Sequence, residues 1–281
     1  MWIDSHIHIY DVSWPGVSWP GPEEPVLYGR VMLDDFAAAV AGTSVTRAVV
    51  IECTSNVAAG LRTMEICQRD ERAIAVTGNI DPRADTFPHT LQKFKAYAKF
   101  AGLRFGAALL EESAAVHASL ATMLREDVRM ADLLLPWDRL PAVFPYIRRH
   151  EGLRFVIDHF AIPWLVDNEL PDGYWKVMEA LSEFPNSHLK LSAMLSVSRN
   201  LPENQHIWDP MLDRLLDLFG PERLLYGSDW PVIRLYGNYL DNYSVIASWV
   251  RKLGGRERNR ITHLNARRIY AKEEGSCGTE G

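Results

Sequence analysis

Short apolar runs of strand length recur along this 281-residue chain, each followed by a helical or loop stretch. The first opens the chain, with Ile3, Ile7 and Ile9 set among Asp4, Ser5, His6 and His8. Thr46 to Glu52 is continuous and β-branched, as a strand covered on both faces must be. Further runs fall at Ala73–Gly78, Gly102–Gly106, Val128–Leu135, Leu153–His159, His188–Ser192 and Arg223–Asp229. Helical patterns lie between them at Leu33–Ala41, Asn56–Arg69, near Phe87–Phe100 and at Met211–Phe219. Eight strands alternating with helices, without a linker-like break in composition, predict a single α/β domain, a (β/α)8 TIM barrel over residues 1–272. A doubly wound open sheet is the rival, but no glycine-rich phosphate loop follows any strand. Residues 273–281 include a polar, glycine-rich tail from Gly275 that is expected to be disordered.

Composition limits the partners. A formal charge of −6 argues against nucleic acid, whose binders carry basic patches. Cys53, Cys67 and Cys277 form no CxxC, so neither a disulfide framework nor a thiolate zinc site is expected. No apolar run approaches the ~20 residues that span a bilayer, and the N-terminus has no basic stretch leading into an apolar one. A cytoplasmic protein with a small-molecule substrate is the reading that follows. Its oligomeric state is open, a homo-oligomer included.

In a barrel of this kind the chemistry sits at the C-terminal ends of the strands. There the first strand carries His6 and His8, the fourth Arg104, the sixth His159 and the eighth Asp229. Side chains two apart share a strand face, so His6 and His8 point the same way. By the same parity His159 goes with Phe155 and Ile157, Asp158 faces oppositely, and Asp229 goes with Leu225 and Gly227. A carboxylate can take a proton from water, while imidazoles hold a metal or polarise a carbonyl. Each residue also has a plainer role open to it. A histidine at a strand end can be a structural hydrogen-bonder, Asp229 before Trp230-Pro231 a turn residue, and Arg104 a partner of Asp132. Asp158 reads as a supporting or structural group. Four such residues at consistent strand ends favour a site. Cys53 and Thr54 could line its mouth, and Lys190 and Ser192 could reach substrate, although Lys190 could equally pair with a carboxylate. The Trp/Pro/Gly-rich stretch Val12–Gly29 is either a rigid connection or a lid. With Ala161–Gly173 it is where specificity is expected to be set.

Five elements occur in order: Asp4-Ser5-His6-Ile7-His8, Gly102-Leu103-Arg104-Phe105, Val156-Ile157-Asp158-His159 with Pro163 following, Gly227-Ser228-Asp229-Trp230-Pro231, and Asn265-Ala266-Arg267-Arg268-Ile269-Tyr270. Together they resemble the amidohydrolase superfamily, in the branch of TIM-barrel hydrolases that includes 2-pyrone-4,6-dicarboxylate lactonase and sugar-acid lactonases. The resemblance implies hydrolysis of a lactone ester, with Asp229 activating water and His6, His8 and His159 around the carbonyl. Arg104, Trp230 and Lys190 would contact substrate, and one divalent metal, zinc first, would be held by His6, His8 and Asp229 if a metal is used. Metal-independent catalysis also occurs in this branch. Two departures matter. Where many metal-dependent members carry a lysine on the fourth strand and a histidine on the fifth, this chain has Arg104 and no histidine in Val128–Leu135, which argues against a binuclear centre. Where the dicarboxylate lactonases carry a histidine after Asp-Trp-Pro and basic residues after the fourth strand, it has Val232 and Gly106-Ala107-Ala108, which points to a less charged, sugar-derived lactone. A metal-dependent decarboxylase of a conjugated or aromatic acid is the alternative reaction, weakened by the missing fifth-strand histidine. A catalytically idle ligand-binding barrel is the alternative class.

Overall fold

A computed structural model describes residues 1–165, 169–198 and 205–271. Eight parallel strands form one sheet in sequence order: β1 (Trp2–Ile7), β2 (Val45–Ile51), β3 (Ala73–Gly78), β4 (Phe100–Phe105), β5 (Met130–Leu133), β6 (Arg154–Ile157), β7 (Ser187–Leu191) and β8 (Leu224–Tyr226). Helices follow the strands, the expected α/β arrangement of a TIM barrel. Asn56 starts the helix Val57–Gln68 by accepting the Ala59 N–H, and Asn238 does the same with Asp241 for Tyr239–Val250. The strands are shorter than their apolar runs suggest. β5 keeps only Met130–Leu133 of the Val128–Leu135 run, and β8 stops at Tyr226. The helix over Met211–Phe219 begins earlier, at Gln205.

β8 meets β1 to bring the ring round. The Asp229 N–H donates to the His6 carbonyl at 2.9 Å and the His8 N–H to the Trp230 carbonyl at 2.8 Å. These bonds therefore set the two histidines beside Asp229. Gly227 lets the strands approach, because a Cβ there would stand 3.1 Å from the Cβ atoms of both His6 and Ser192. Inside the barrel, Ile3, Val49, Met130, Val156 and Leu225 pack into an apolar floor, closed from below by Ile269 and Tyr270 of the helix Asn265–Tyr270. The larger apolar cluster lies between strands and helices.

β1 departs from simple alternation. Asp4 pairs with Ala48 and Ile7 with Val50, so three steps on β1 match two on β2. That bulge moves Ile3 into the barrel and Ile7 outside it, while His6 and His8 both face inward. Asp4 secures the bulge. One carboxylate oxygen accepts the N–H groups of His6 (3.0 Å) and Ser228 (2.8 Å), and the other accepts the Tyr239 hydroxyl (2.8 Å). The stretch Val12–Gly29 is bracketed by a two-stranded ribbon, Tyr10–Asp11 with Arg30–Val31. The tail from Gly275, with Cys277, lies outside the described residues, as do residues 166–168 of the Ala161–Gly173 segment.

Candidate active site

Three imidazoles surround one carboxylate oxygen. The Nε2 atoms of His8, His6 and His159 lie 3.3, 3.6 and 3.7 Å from Asp229 Oδ1, and those of His6 and His8 are 3.3 Å apart. Each ring is aimed by what holds its other nitrogen. His8 Nδ1 is 2.7 Å from the Ile51 carbonyl, which can only accept, so Nδ1 carries the proton and Nε2 presents its lone pair. His159 Nδ1 sits 2.8 Å from the Ser192 hydroxyl, which can donate to it and leave an Nε2–H facing the site. His6 Nδ1 has both a donor, Lys190 Nζ at 3.2 Å, and an acceptor, Asp158 Oδ1 at 3.3 Å, so its Nε2 can carry a proton or offer a lone pair. Burial pushes His6 well below the usual histidine range and lowers His159 as well, so both rings are neutral at pH 7.

His159 reaches the mouth by a route that strand parity does not predict. β6 has ended at Ile157, and His159, Phe160, Ala161 and Ile162 follow with φ of 53°, 56°, 62° and 49°. Four consecutive left-handed residues, one of them β-branched, are strained, and such strain gathers at functional sites. The turn swings His159 inward, away from the outer positions of Phe155 and Ile157. Asp158, which has the inward parity, lies beneath the histidines instead.

That lower level is a closed set of charges. Lys190 Nζ is 2.9 Å from Asp158 Oδ1 and 3.0 Å from Asp132 Oδ1, Arg104 Nε is 3.3 Å from Asp158 Oδ2, and the Tyr270 hydroxyl donates to Asp132 at 2.6 Å. Burial would raise Asp158, but Lys190 and His6 beside it hold its carboxyl well below the usual range. Asp132 is pushed up to about 6 by burial, with Lys190 opposing. Two expectations are corrected here. Arg104 pairs with Asp158 rather than Asp132, and Lys190, read as a substrate contact or a carboxylate partner, is fully buried among carboxylates and is not among the cavity-lining residues.

Above Asp229 opens a cavity of about 360 Å³, within the range of small-molecule sites. His8, His159, Asp229 and Arg104 reach it, as does Cys53, whereas Thr54, Trp230 and Lys190 are not among its lining residues. Trp230, expected against substrate, packs into the outer core 5.6 Å from Phe36, as the residue next to inward-facing Asp229 alternates outward. Burial pushes the Cys53 thiol up, which rules it out as a thiolate nucleophile at pH 7. Trp19 from the Val12–Gly29 stretch lines the cavity with its ring 6.2 Å from that of His8, while Trp14 of the same stretch packs under Arg62. Ile162 and Trp164 come from the second segment expected to set specificity. Sequence reasoning left out Ser196, Tyr236 and the Ile51 carbonyl. The last has no sequence signal, since every residue has a carbonyl.

The donors fit one metal ion. A tetrahedral zinc with ligands at ~2.0–2.1 Å keeps them roughly 3.3 Å apart. The spacings among His6, His8 and Asp229 are 3.3–3.6 Å, and His6, His159 and Asp229 offer ligand atoms within 4.8 Å of one another. His6 also has a carboxylate behind its second nitrogen, the arrangement that orients a metal-binding histidine.

The sequence pattern of the amidohydrolase family matches residues 3–272. An L-fucono-1,5-lactonase of Burkholderia ambifaria is 28% identical over 95% of this chain and 94% of its own length. A second, from Burkholderia multivorans, is 26% identical over 97% and 96%. The crystal structure of an amidohydrolase from Burkholderia multivorans with bound zinc superposes with a TM-score of 0.84 at 25% identity, covering 96% of this chain and 99% of that one. With the motif set, the barrel and the donor cluster in agreement over nearly its whole length, the chain belongs to the amidohydrolase family.

Proposed function

We propose that this protein hydrolyses a lactone, of the sugar-derived kind, by adding water to the ring carbonyl. The observation that carries this reading is the convergence of three imidazole Nε2 atoms on Asp229 Oδ1 at the base of the cavity. It is supported by relatives named as lactonases. Asp229 is the only carboxylate among the cavity-lining residues described, and in this reading it takes a proton from the attacking water. His159, turned by Ser192, donates its Nε2–H to the carbonyl oxygen as negative charge develops there. Asp229 then returns the proton to the ring oxygen as the C–O bond breaks, leaving a hydroxy acid. Arg104 stands at the cavity wall for a substrate hydroxyl or carboxylate. His8 cannot polarise the carbonyl directly while neutral, because its Nε2 has no proton to give. Its role, with His6 and Asp229, is to hold a divalent ion, zinc first. When bound, such an ion supplies polarisation of the carbonyl and a lowered pKa for water.

We also place the protein in the cytoplasm, with residues 1–272 acting as one domain. Free Cys53 and Cys67 suit a reducing compartment, and among the described residues no helix is long and apolar enough to cross a membrane.

The test is a pH-indicator screen over sugar and aromatic lactones, run with chelator and with added zinc. Turnover of sugar lactones is expected. Survival under chelation would leave His159 as the carbonyl donor, and dependence on zinc would put His6, His8 and Asp229 on the ion. A panel with no lactone turned over would sink the reading.

A further inference from the structure

One cavity-lining side chain has no part in the chemistry above. Ser196 lies in the short helix Met194–Ser198 and is 6% exposed, yet its hydroxyl has no hydrogen-bond partner among the described residues. Its serine neighbours are satisfied. Ser198, in the same helix, returns its hydroxyl to the Met194 carbonyl at 2.9 Å, and Ser192 is engaged with His159. A buried hydroxyl left unpaired is destabilising, and serine in a helix ordinarily satisfies itself on a backbone carbonyl. The cavity lining combines the apolar Leu134, Ile162, Val197 and Val232 with His8, Arg104, His159, Asp229 and Tyr236, none of which the Ser196 hydroxyl pairs with. Arg104, the cationic lining residue, is already engaged with Asp158 and with the Glu52 carbonyl at 3.3 Å, and a guanidinium can only donate. Ser196 can donate and accept, as recognition of an alcohol requires.

We infer that Ser196 anchors a ring hydroxyl of the substrate and makes the site select hydroxylated lactones over plain ones. This deepens the lactonase reading and rests on it for the identity of the ring. The anchor is a specificity determinant, separate from the proton transfers at Asp229.

The test measures binding with lactams, which share the lactone's shape but resist hydrolysis. Calorimetry would compare a polyhydroxylated δ-lactam with δ-valerolactam on the wild type, Ser196→Ala and Ser196→Thr. The wild type should bind the hydroxylated ring about tenfold more tightly, the margin of one neutral hydrogen bond. Ser196→Ala should abolish that margin and leave the Kd for δ-valerolactam unchanged, and Ser196→Thr should keep most of it. The inference is overturned by an alanine variant that discriminates as the wild type does, by one that weakens both lactams alike, or by a wild type without preference. Lactone turnover by the same wild-type preparation separates the two readings. Turnover with a Ser196-independent margin removes the anchor alone, and a Ser196-dependent margin without turnover removes hydrolysis alone.

Discussion

The two ends of the barrel interior are built from the same strands by opposite rules. Along β5 and the residue after it the inward positions read Met130, Asp132 and Leu134, and these are in turn the apolar floor, the buried charge layer and the cavity wall. Along β8 and the residues after it they read Leu225, Gly227 and Asp229, from floor to mouth. The floor is packed from apolar side chains and sealed by a helix whose Tyr270 hydroxyl reaches up to Asp132. The mouth holds three histidines, a carboxylate and left-handed backbone. Packing residues and candidate catalytic residues are thus separated along the barrel axis. The charges of Lys190, Asp132, Asp158 and Arg104 lie between and join the two.

The sharpest way to break this comparison is at Asp229. Asp229→Asn tolerates the residue's φ of 70° and removes only the charge. Turnover should fall by about 10³-fold or more, equivalent to roughly 4 kcal/mol of barrel-mouth chemistry, with the urea midpoint unmoved. A large loss of stability in this variant would show that the mouth is structural too. Next comes the layer between. Lys190→Met strips Asp132 and Asp158 of their shared cation, and equilibrium unfolding should register a loss of about 3–5 kcal/mol. Turnover should fall with it, because His6 loses a neighbour at Nδ1. Full activity in a folded Lys190→Met protein would mean that the charge layer does not support the mouth. The floor should respond in the reverse sense. Met130→Ala leaves a void worth about 2–4 kcal/mol of stability, while kcat at 25 °C changes by less than about threefold. A kcat loss as large as that of Lys190→Met would erase the distinction between floor and mouth.

Much of the architecture was legible because strand and helix signals are local. Ala73–Gly78 is a strand to the residue, and the helical stretch read from Asn56 does open there, with Asn56 as its cap. The convergence of His6, His8 and Asp229 was legible because alternation carries on just past the ends of β1 and β8. Parity failed wherever backbone geometry intervened. The bulge at Asp4–Ile7 reversed the facing of Ile7 relative to Ile3, and the left-handed turn after Ile157 brought His159 inward against its parity. Trp230 and Lys190 look like substrate contacts in the sequence, but one is packed behind β8 and the other is neutralised below the site.

By itself, then, the sequence determined the alternation of strands and helices, the ordered motifs of the family and the residue types able to do hydrolytic chemistry. Tertiary structure decided which nitrogen of each histidine faces the site, which carboxylates are spent on Lys190, and that the Ser196 hydroxyl is buried at the cavity wall without a protein partner among the described residues. The physical reason is that periodicity and propensity act between near neighbours in the chain. Hydrogen-bond pairing and charge compensation act between atoms that only the closed barrel brings together, as His8 and the Ile51 carbonyl show.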